Sequence, residues 1–235
     1  MLFRSKHTNA IGGIAFPPNG RSLLSGSNDK SVRLWILRDG SSKIMPVTGT
    51  TNSFLSVAFS PDGRYFAGGD MNDSLWIWDS RRQRLVAKWL GRTSSVWCVE
   101  FTPDGKGLMS GGGDGMVTYW DMASLGSGSE RQSFPVIRKF SGHTVRLLCL
   151  LFTSTYHIPQ GLVRSLRFFP GDNRWIVSSS SDKIVRLWDT ESGICYLALH
   201  GHTFIVRVTD FSQTHNLLVT GSGDCRVMFW KYRVL

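Results

Sequence analysis

No stretch of this chain is apolar for longer than Leu147–Phe152, far short of the roughly 18 residues a membrane-crossing helix requires. The opening Met1-Leu-Phe-Arg-Ser-Lys-His7 forms no signal-like segment, so a nuclear or cytoplasmic protein, not secreted and without membrane association, is expected. Cysteine is sparse. Cys98, Cys149, Cys195 and Cys225 stand far apart, with no Cys-x-x-Cys spacing, so reduced thiols and no metal centre are expected. Also missing are a Walker loop, a His-Glu-x-x-His, a Gly-x-Ser-x-Gly and a Gly-x-Gly-x-x-Gly, which would hold phosphate, metal, nucleophile and dinucleotide. The reading is of a non-enzyme: no catalytic residues, no cofactor, no small-molecule substrate. Asn72-Asp73-Ser74 matches a glycosylation acceptor, which without a secretory route is disregarded.

What is present points to short strands. The 235 residues are 41% apolar and only 19% charged, and 25 glycines stand beside 14 Phe and 9 Trp, a mixture suited to tight turns and an all-β fold. Lys and Arg outnumber Asp and Glu by 27 to 17, a net charge of +10 that concentrates acidic partners around the molecule. The basic residues are scattered singly, as on solvated outer strands, so direct nucleic-acid binding is not expected.

A period runs through the chain. Phe16 precedes Trp35 by 19 residues, and Phe59 precedes Trp78, Phe101 Trp120 and Phe211 Trp230 by the same step; Phe168 precedes Trp188 by 20. The extra residue of that pair falls in Phe169-Pro-Gly-Asp-Asn173, where other units have Pro-Asp-Gly or Pro-Asn-Gly, turns that absorb an insertion easily. Nine residues before Phe16 and Phe211 stand His7 and His202, while Thr50 and Arg92 take that place in the second and third units. Beyond each Phe follow Asp29, Asn72, Asp114, Asp182 and Asp224, in turns of the Ser-Gly-Ser-x-Asp type. Between these markers residues alternate, as in Val185-Arg-Leu-Trp188, the period-two pattern of a strand. Trp-to-Trp spacings of 43 and 42 match the four-stranded unit of the WD repeat, and the chain resembles that family over nearly its whole length.

The resemblance implies a WD-repeat β-propeller with five recognisable four-stranded blades, incomplete beside the seven usual in the family, in a single domain 1–235. It implies structural tetrads of His, Ser or Thr, Asp and Trp: His7, Ser25, Asp29 and Trp35; His143, Ser178, Asp182 and Trp188; His202, Thr220, Asp224 and Trp230. Physical chemistry agrees, because a buried carboxylate needs donors and a packed indole N–H needs an acceptor. A Ser-His-Asp trio also serves hydrolases, but recurrence once per blade marks these as structural. His200-Gly-His202 is read as one tetrad histidine beside an exposed neighbour, with no metal. The second blade, with Thr50, Gly68 and Asn72, and the third, with Arg92, Ser110 and Asp114, are expected to be less firmly knit.

The resemblance also places a partner-binding rim at Leu55, Met71, Trp97, Leu162, Arg164, Ile205 and Arg207, a mixture of aromatic, Arg and aliphatic side chains typical of binding hot spots. The segment Thr220–Tyr232 is similar to the terminal blade of fungal Tup-type transcriptional corepressors, which implies a protein-docking scaffold for DNA-binding repressors or histone tails. A scaffold in signalling, trafficking or ubiquitin ligation is the alternative. The phase of the repeat would let Met1–Ser5 complete the last blade.

One spacing breaks the pattern. Trp120 and Trp188 are 68 apart, and most of the excess disappears if residues 145–160 are removed, which joins Ser141-Gly-His-Thr144 to Gly161-Leu-Val-Arg164 and restores the His-to-Phe step. Valine codons begin GT and a glutamine codon ends AG, so Val145–Gln160 is read as a non-family insertion and possible retained intron. Its run Leu147–Phe152 has no place in the blade pattern.

Overall fold

A computed structural model describes residues 6–47, 52–90, 94–126, 136–143, 161–212 and 214–232. The alternating segments form five antiparallel sheets in which successive strands are neighbours. The first blade contains β1 (Ile11–Ala15), β2 (Ser22–Ser27), β3 (Val32–Ile36) and β4 (Ser42–Ile44). The second contains β5 (Phe54–Phe59), β6 (Tyr65–Asp70), β7 (Ser74–Asp79) and β8 (Arg84–Leu90). The third contains β9 (Val96–Phe101), β10 (Gly107–Gly112), β11 (Val117–Asp121) and β12 (Val136–Phe140). The fourth contains β13 (Val163–Phe168), β14 (Trp175–Ser180), β15 (Val185–Asp189) and β16 (Cys195–Leu199). The fifth has three strands among the described residues, β17 (Val206–Ser212), β18 (Leu217–Ser222) and β19 (Val227–Lys231). Its expected fourth strand, Met1–Ser5, lies outside the described residues.

The chain groups into two compact units, one of Met1–Ser110 with Tyr119–Ile137 and one of Gly111–Thr118 with Arg138–Leu235. The division passes through the third blade, where the repeat pattern alone reads as one continuous domain.

Turn chemistry sets the register. Gly63 has φ 66°, a left-handed conformation that suits glycine, and its amide closes the hairpin onto the Ser60 carbonyl at 2.9 Å. Asp62 fastens the same turn by accepting from Ser60 Oγ at 2.6 Å and the Arg64 amide at 2.9 Å. Gly20 and Gly105 repeat this geometry.

Inside the first unit, blade packs on blade. Val32 and Leu34 share a core with Phe54, Val57 and Phe66, while Leu75 and Ile77 share one with Val96, Val99 and Phe101. Close approach depends on small residues on the second strands: a Cβ at Gly69 would stand 2.4 Å from Val96 Cγ1. In the second unit Val177 and Val185 meet Val206 and Leu218 in the same way. Each large aliphatic or aromatic side chain buried so contributes about 1.5–3 kcal/mol.

The segment 145–160 lies outside the described residues, which stop at His143 and resume at Gly161. Both the His143 and Gly161 carbonyl oxygens crowd Gly115, at 2.8 and 3.0 Å from where its Cβ would stand. The chain therefore leaves the fourth blade and re-enters it at one place. We propose accordingly that the fourth blade folds without residues 145–160. Deletion of those residues is expected to leave the far-UV circular dichroism unchanged and to raise stability by roughly 1–2 kcal/mol, because a shorter connection between His143 and Gly161 has less entropy to lose on closure. Loss of folding on deletion, measured by thermal and urea melts, contradicts this; transcripts joining codons 144 and 161 directly test the intron reading.

Candidate partner-binding rim and the bonds that hold it

Between the second and third strands each blade makes the same turn. Its second half contains a left-handed residue: Lys30, Asp73, Gly115, Lys183 and Cys225, with φ between 62° and 74°. Four of these have side chains, so the conformation must be held by its neighbours. A carboxylate does so. Asp29 Oδ1 accepts the Ser31 amide at 3.0 Å, and Asp114, Asp182 and Asp224 accept those of Met116, Ile184 and Arg226 at 3.0, 3.0 and 2.9 Å.

In three blades the second carboxylate oxygen begins a relay. His7 Nδ1 meets Asp29 Oδ2 at 2.8 Å, its Nε2 meets Ser25 Oγ at 2.7 Å, and Trp35 Nε1 donates to Ser25 Oγ at 2.7 Å. His143, Asp182, Ser178 and Trp188 repeat it at 2.8, 2.7 and 2.7 Å, and His202, Asp224, Thr220 and Trp230 at 2.9, 2.8 and 3.0 Å. The carboxylate assigns the imidazole proton to Nδ1, which leaves Nε2 to accept the hydroxyl proton, so the hydroxyl oxygen is free to accept from indole. Every polar atom is used. Ser25, Ser178 and Thr220 are completely buried, and a hydroxyl committed at both ends and closed to solvent cannot reach a substrate.

Electrostatics follow from burial. Desolvation, the largest influence on His143, pushes its imidazole below the ordinary 6.5 despite the Asp182 carboxylate. Desolvation also acts to raise Asp182, but His143, the Ile184 amide and Arg186 outweigh it and hold the carboxyl at about 2. Arg186 Nη1 donates to the same Asp182 Oδ2 at 2.7 Å. Asp224 is likewise held at about 2, where the Thr203 amide and His202 overcome the desolvation penalty.

The second blade solves the problem differently. Asn72 has no carboxylate, and buried Asp70, two residues upstream, takes its place: Oδ1 accepts the Asn72 and Ser74 amides at 2.8 and 3.0 Å, and Oδ2 accepts Trp76 Nε1 at 2.8 Å. Gly68 contributes no hydroxyl, and Trp78 Nε1 donates instead to the Pro46 carbonyl at 2.7 Å. Phe66 and Trp76 stack on the Trp78 ring at 5.3 and 6.2 Å, so this blade replaces the relay with aromatic packing rather than simply losing it. Asp70 and Trp76 are absent from the expected site. Their signal is a second Trp at the third-strand position held by Arg33 and Arg186, coupled to an Asp where the first, fourth and fifth blades have Ser. In the third blade Trp120 Nε1 donates to Ser110 Oγ at 2.8 Å. Thr50 and Arg92 lie outside the described residues.

The rim is built by the same turns. Every first strand whose pairing is defined slips register once, between Ile11 and Gly13, Phe54 and Ser56, Val163 and Ser165, and Val206 and Val208. The residue left over in each bulge is Gly12, Leu55, Arg164 or Arg207, and Trp97 holds that position in the third blade. A bulge turns one side chain out of the strand's alternation. Alongside it, the residue before the turn donates its amide to the residue before the strand: Met71 to Ser53 at 3.0 Å, Ser181 to Leu162 at 2.9 Å, Gly223 to Ile205 at 2.9 Å. Arg164 Nε reaches Ser181 Oγ at 3.2 Å.

Leu55 and Trp97 are half-buried, and Met71 and Arg207 are exposed. Two expected rim side chains are not accessible. Leu162 and Ile205 are only 4% and 7% exposed, because they precede the bulge and turn inward while their carbonyls serve the turn. Phe204 is an addition to the expected set; it is 47% exposed and lies over Gly223, where a Cβ would stand 2.5 Å from its ring. The first unit thus presents apolar rim residues, and the second presents arginines with a phenylalanine. Among the described residues no group of three His, Cys, Asp or Glu could hold a metal ion, and no helix is long and apolar enough to cross a membrane.

The family model described as WD domain, G-beta repeat matches residues 2–35, 41–79, 83–121, 149–189 and 193–231. The chain belongs to the WD40 family. Each matched segment ends on the third strand of one of the five blades, and 41–79, 83–121 and 193–231 begin with the fourth strand of the blade before; the fourth segment begins inside 145–160, while the tetrad histidine that serves that blade is His143. Over 68 residues, 26% of this WD40 chain, it is 34% identical to the general transcriptional corepressor TUP1 of Saccharomyces cerevisiae, and over 83 residues, 33% of the chain, 32% identical to the transcriptional repressor rco-1 of Neurospora crassa. It is also 35% identical over 74 residues, 32% of the chain, to the nuclear distribution protein PAC1 of Komagataella phaffii. The matched segments span 10%, 14% and 14% of those proteins.

Removing one relay hydroxyl tests its structural role. Ser178→Ala strands Trp188 Nε1 and His143 Nε2 together and is expected to cost about 2–3 kcal/mol in urea unfolding. Acid acts on the same groups. Both shifts are downward, so the unfolded chain binds the extra protons as pH falls and stability declines in two stages. The first sets in below 6.5 as His143 of the unfolded chain protonates, and the second runs from 3.8 to about 2 as the Asp182 and Asp224 carboxyls follow. Urea midpoints that stay flat from neutral pH to pH 3 contradict this.

Proposed function

We propose that this WD40 chain is a non-catalytic docking scaffold in transcriptional co-repression, acting in the nucleus and holding short segments of other proteins on its bulge rim. The observation that carries the reading is the recurring bulge, which in the second, fourth and fifth blades aims one variable side chain, Leu55, Arg164 or Arg207, away from the strand while the repeated chemistry beneath stays buried. Variable residues on a rigid frame suit recognition. The buried relay hydroxyls argue against hydrolysis.

Similarity to TUP1 and rco-1, whose names describe transcriptional repressors, supports the transcriptional role. Similarity to PAC1 at comparable identity supports a second reading, a scaffold outside transcription. Charge refines the partner. Arg164 and Arg207 on the rim and a net charge of +10 favour an acidic segment of a DNA-binding repressor over a basic histone tail in the second unit. The apolar Leu55, Met71 and Trp97 carry no such bias.

Capture from nuclear extract on the immobilised chain is expected to recover DNA-binding repressors, with release by added salt as rim arginines are screened. The variant Trp97→Ala, Arg164→Ala, Arg207→Ala is expected to lose at least about 100-fold in affinity for a recovered partner, at roughly 2 kcal/mol or more for hot-spot residues, while its circular dichroism is unchanged. Undiminished binding by the folded triple variant removes the rim from the function. Recovery of transport or ubiquitin-ligase subunits instead favours the second reading.

A further inference from the structure

At the end of its strands opposite the rim, the second blade gathers positive charge that its own structure does not use. Its first hairpin turn ends in Arg64, and the turn between β7 and β8 reads Ser80-Arg-Arg-Gln-Arg84. Arg64, Arg81 and Arg82 wall an open cleft of about 380 Å³ together with Asp62 and Asp79, and all three arginines are exposed. The carboxylates are committed to the turns. Asp62 Oδ1 holds Ser60 Oγ and the Arg64 amide, and Asp79, only 7% exposed, accepts the Arg82 amide at 2.8 Å. Among the described residues, the side chains of Arg64 and Arg81 have no hydrogen-bonded or ion-paired partner. Arg82 Nη1 approaches Asp79 Oδ2 only to 3.9 Å, beyond hydrogen-bond distance.

Other blades show that the fold does not require this arrangement. Tyr65 pairs with Asp79 as Trp175 pairs with Asp189, so Arg64 and Arg174 hold one position. Arg174 is spent, because its Nη2 donates to Asp189 Oδ2 at 3.1 Å. Arg64 instead lies over the Tyr65 ring at 5.1 Å with its donors open. Where the second blade has Arg81 and Arg82, the fourth has Glu191 and Ser192, and the first has Arg38 and Asp39. The residue that follows is Gly40 or Gly193 in those blades, left-handed at φ 70° and 78°, yet Gln83 takes the same conformation at φ 51°. Its Oε1 accepts Lys43 Nζ of the first blade at 2.9 Å, which ties down the arginine turn and sets a fourth cation beside it.

We propose that this cleft binds a phosphate monoester, the group that a phosphorylated serine or threonine of a partner protein presents. Three guanidinium groups with free donors suit three terminal oxygens, and a charge of about −2 outweighs the repulsion of Asp62 and Asp79 more readily than the single charge of a carboxylate does. A phosphodiester has one charge and two free oxygens, so the backbone of a nucleic acid suits the cleft less well. The site stands at the other end of the strands from the bulge rim and does not depend on what the rim holds.

The full chain, nitrogen-labelled, is titrated at low salt while the arginine Nε–Hε resonances are followed by nuclear magnetic resonance. Inorganic phosphate and a short glycine peptide containing phosphoserine are expected to bind with a dissociation constant of about 1 mM or tighter. Diethyl phosphate and acetate are expected to bind at least about 10-fold more weakly, since each offers fewer charges and oxygens to the guanidinium groups. Tighter binding of the peptide than of inorganic phosphate assigns the monoester to a partner's side chain; the reverse order assigns it to a free phosphate. Arg81→Gln is expected to weaken phosphate binding about 10-fold or more. Arg38→Gln, at the matching turn position of the first blade, removes one exposed charge as well and is expected to leave it unchanged. Both side chains are exposed, so circular dichroism and thermal melting are expected to be retained. Absence of saturable shifts up to about 10 mM phosphate overturns the proposal. So does an equal response to acetate or diethyl phosphate, or an Arg38→Gln loss as large as that of Arg81→Gln, which is the mark of diffuse attraction to a chain of net charge +10.

Discussion

A carboxylate on a single backbone amide organises each blade. The amide belongs to the residue entering the third strand, and it is met by Asp29, Asp114, Asp182 or Asp224 from two residues back, or by Asp70 from four. The bond pins a turn whose next-door residue is left-handed, a conformation that Lys30, Asp73, Lys183 and Cys225 would not adopt unaided. Once the turn is pinned, its preceding residue closes a backbone bond onto the segment before the first strand, and the adjoining bulge is aimed outward. Rim geometry is therefore a consequence of turn chemistry.

Burying that carboxylate requires donors, and the blades supply them in two ways. In the first, fourth and fifth, histidine passes the demand to a hydroxyl and the hydroxyl to an indole, so that four polar groups satisfy one another with no unpaired atom between them. In the second, Trp76 donates directly to Asp70 and the remaining volume is filled by stacked rings. The two solutions occupy the same place and hold the same amide, which is why a blade lacking histidine, hydroxyl and turn aspartate together still forms a four-stranded sheet.

Most of the fold is legible in the order of residues alone. The Phe-to-Trp step, the Pro-Asp-Gly turns and the alternation around Trp188 each fix a local geometry, and repetition multiplies their weight. The three His-Ser/Thr-Asp-Trp sets are legible too, because a buried tetrad needs all its members and the Ser or Thr, Asp and Trp recur at constant spacing; His143 joins its set only when residues 145–160 are set aside. The second blade is not. A template keyed to Asn72 overlooks that an Asp two residues earlier reaches the same amide, since side-chain reach is a matter of three dimensions. Leu162 and Ile205 are misplaced by spacing for a similar reason: a bulge between Val163 and Ser165, or Val206 and Val208, shifts the alternation by one residue, and strands before and after it face opposite ways.

What the sequence by itself determined was therefore everything that depends on short-range spacing: strand, turn, the blade as a unit, and the identity of most groups that bond within it. What only the tertiary structure decided was which apolar side chains are covered. Val32 and Val227 have the same neighbours in sequence pattern and pair with glycine in the same register, yet one is buried and the other bare. Burial is conferred by the adjacent blade, whose position no residue of the strand itself encodes, and so which side chains are covered could be read only from the packed molecule.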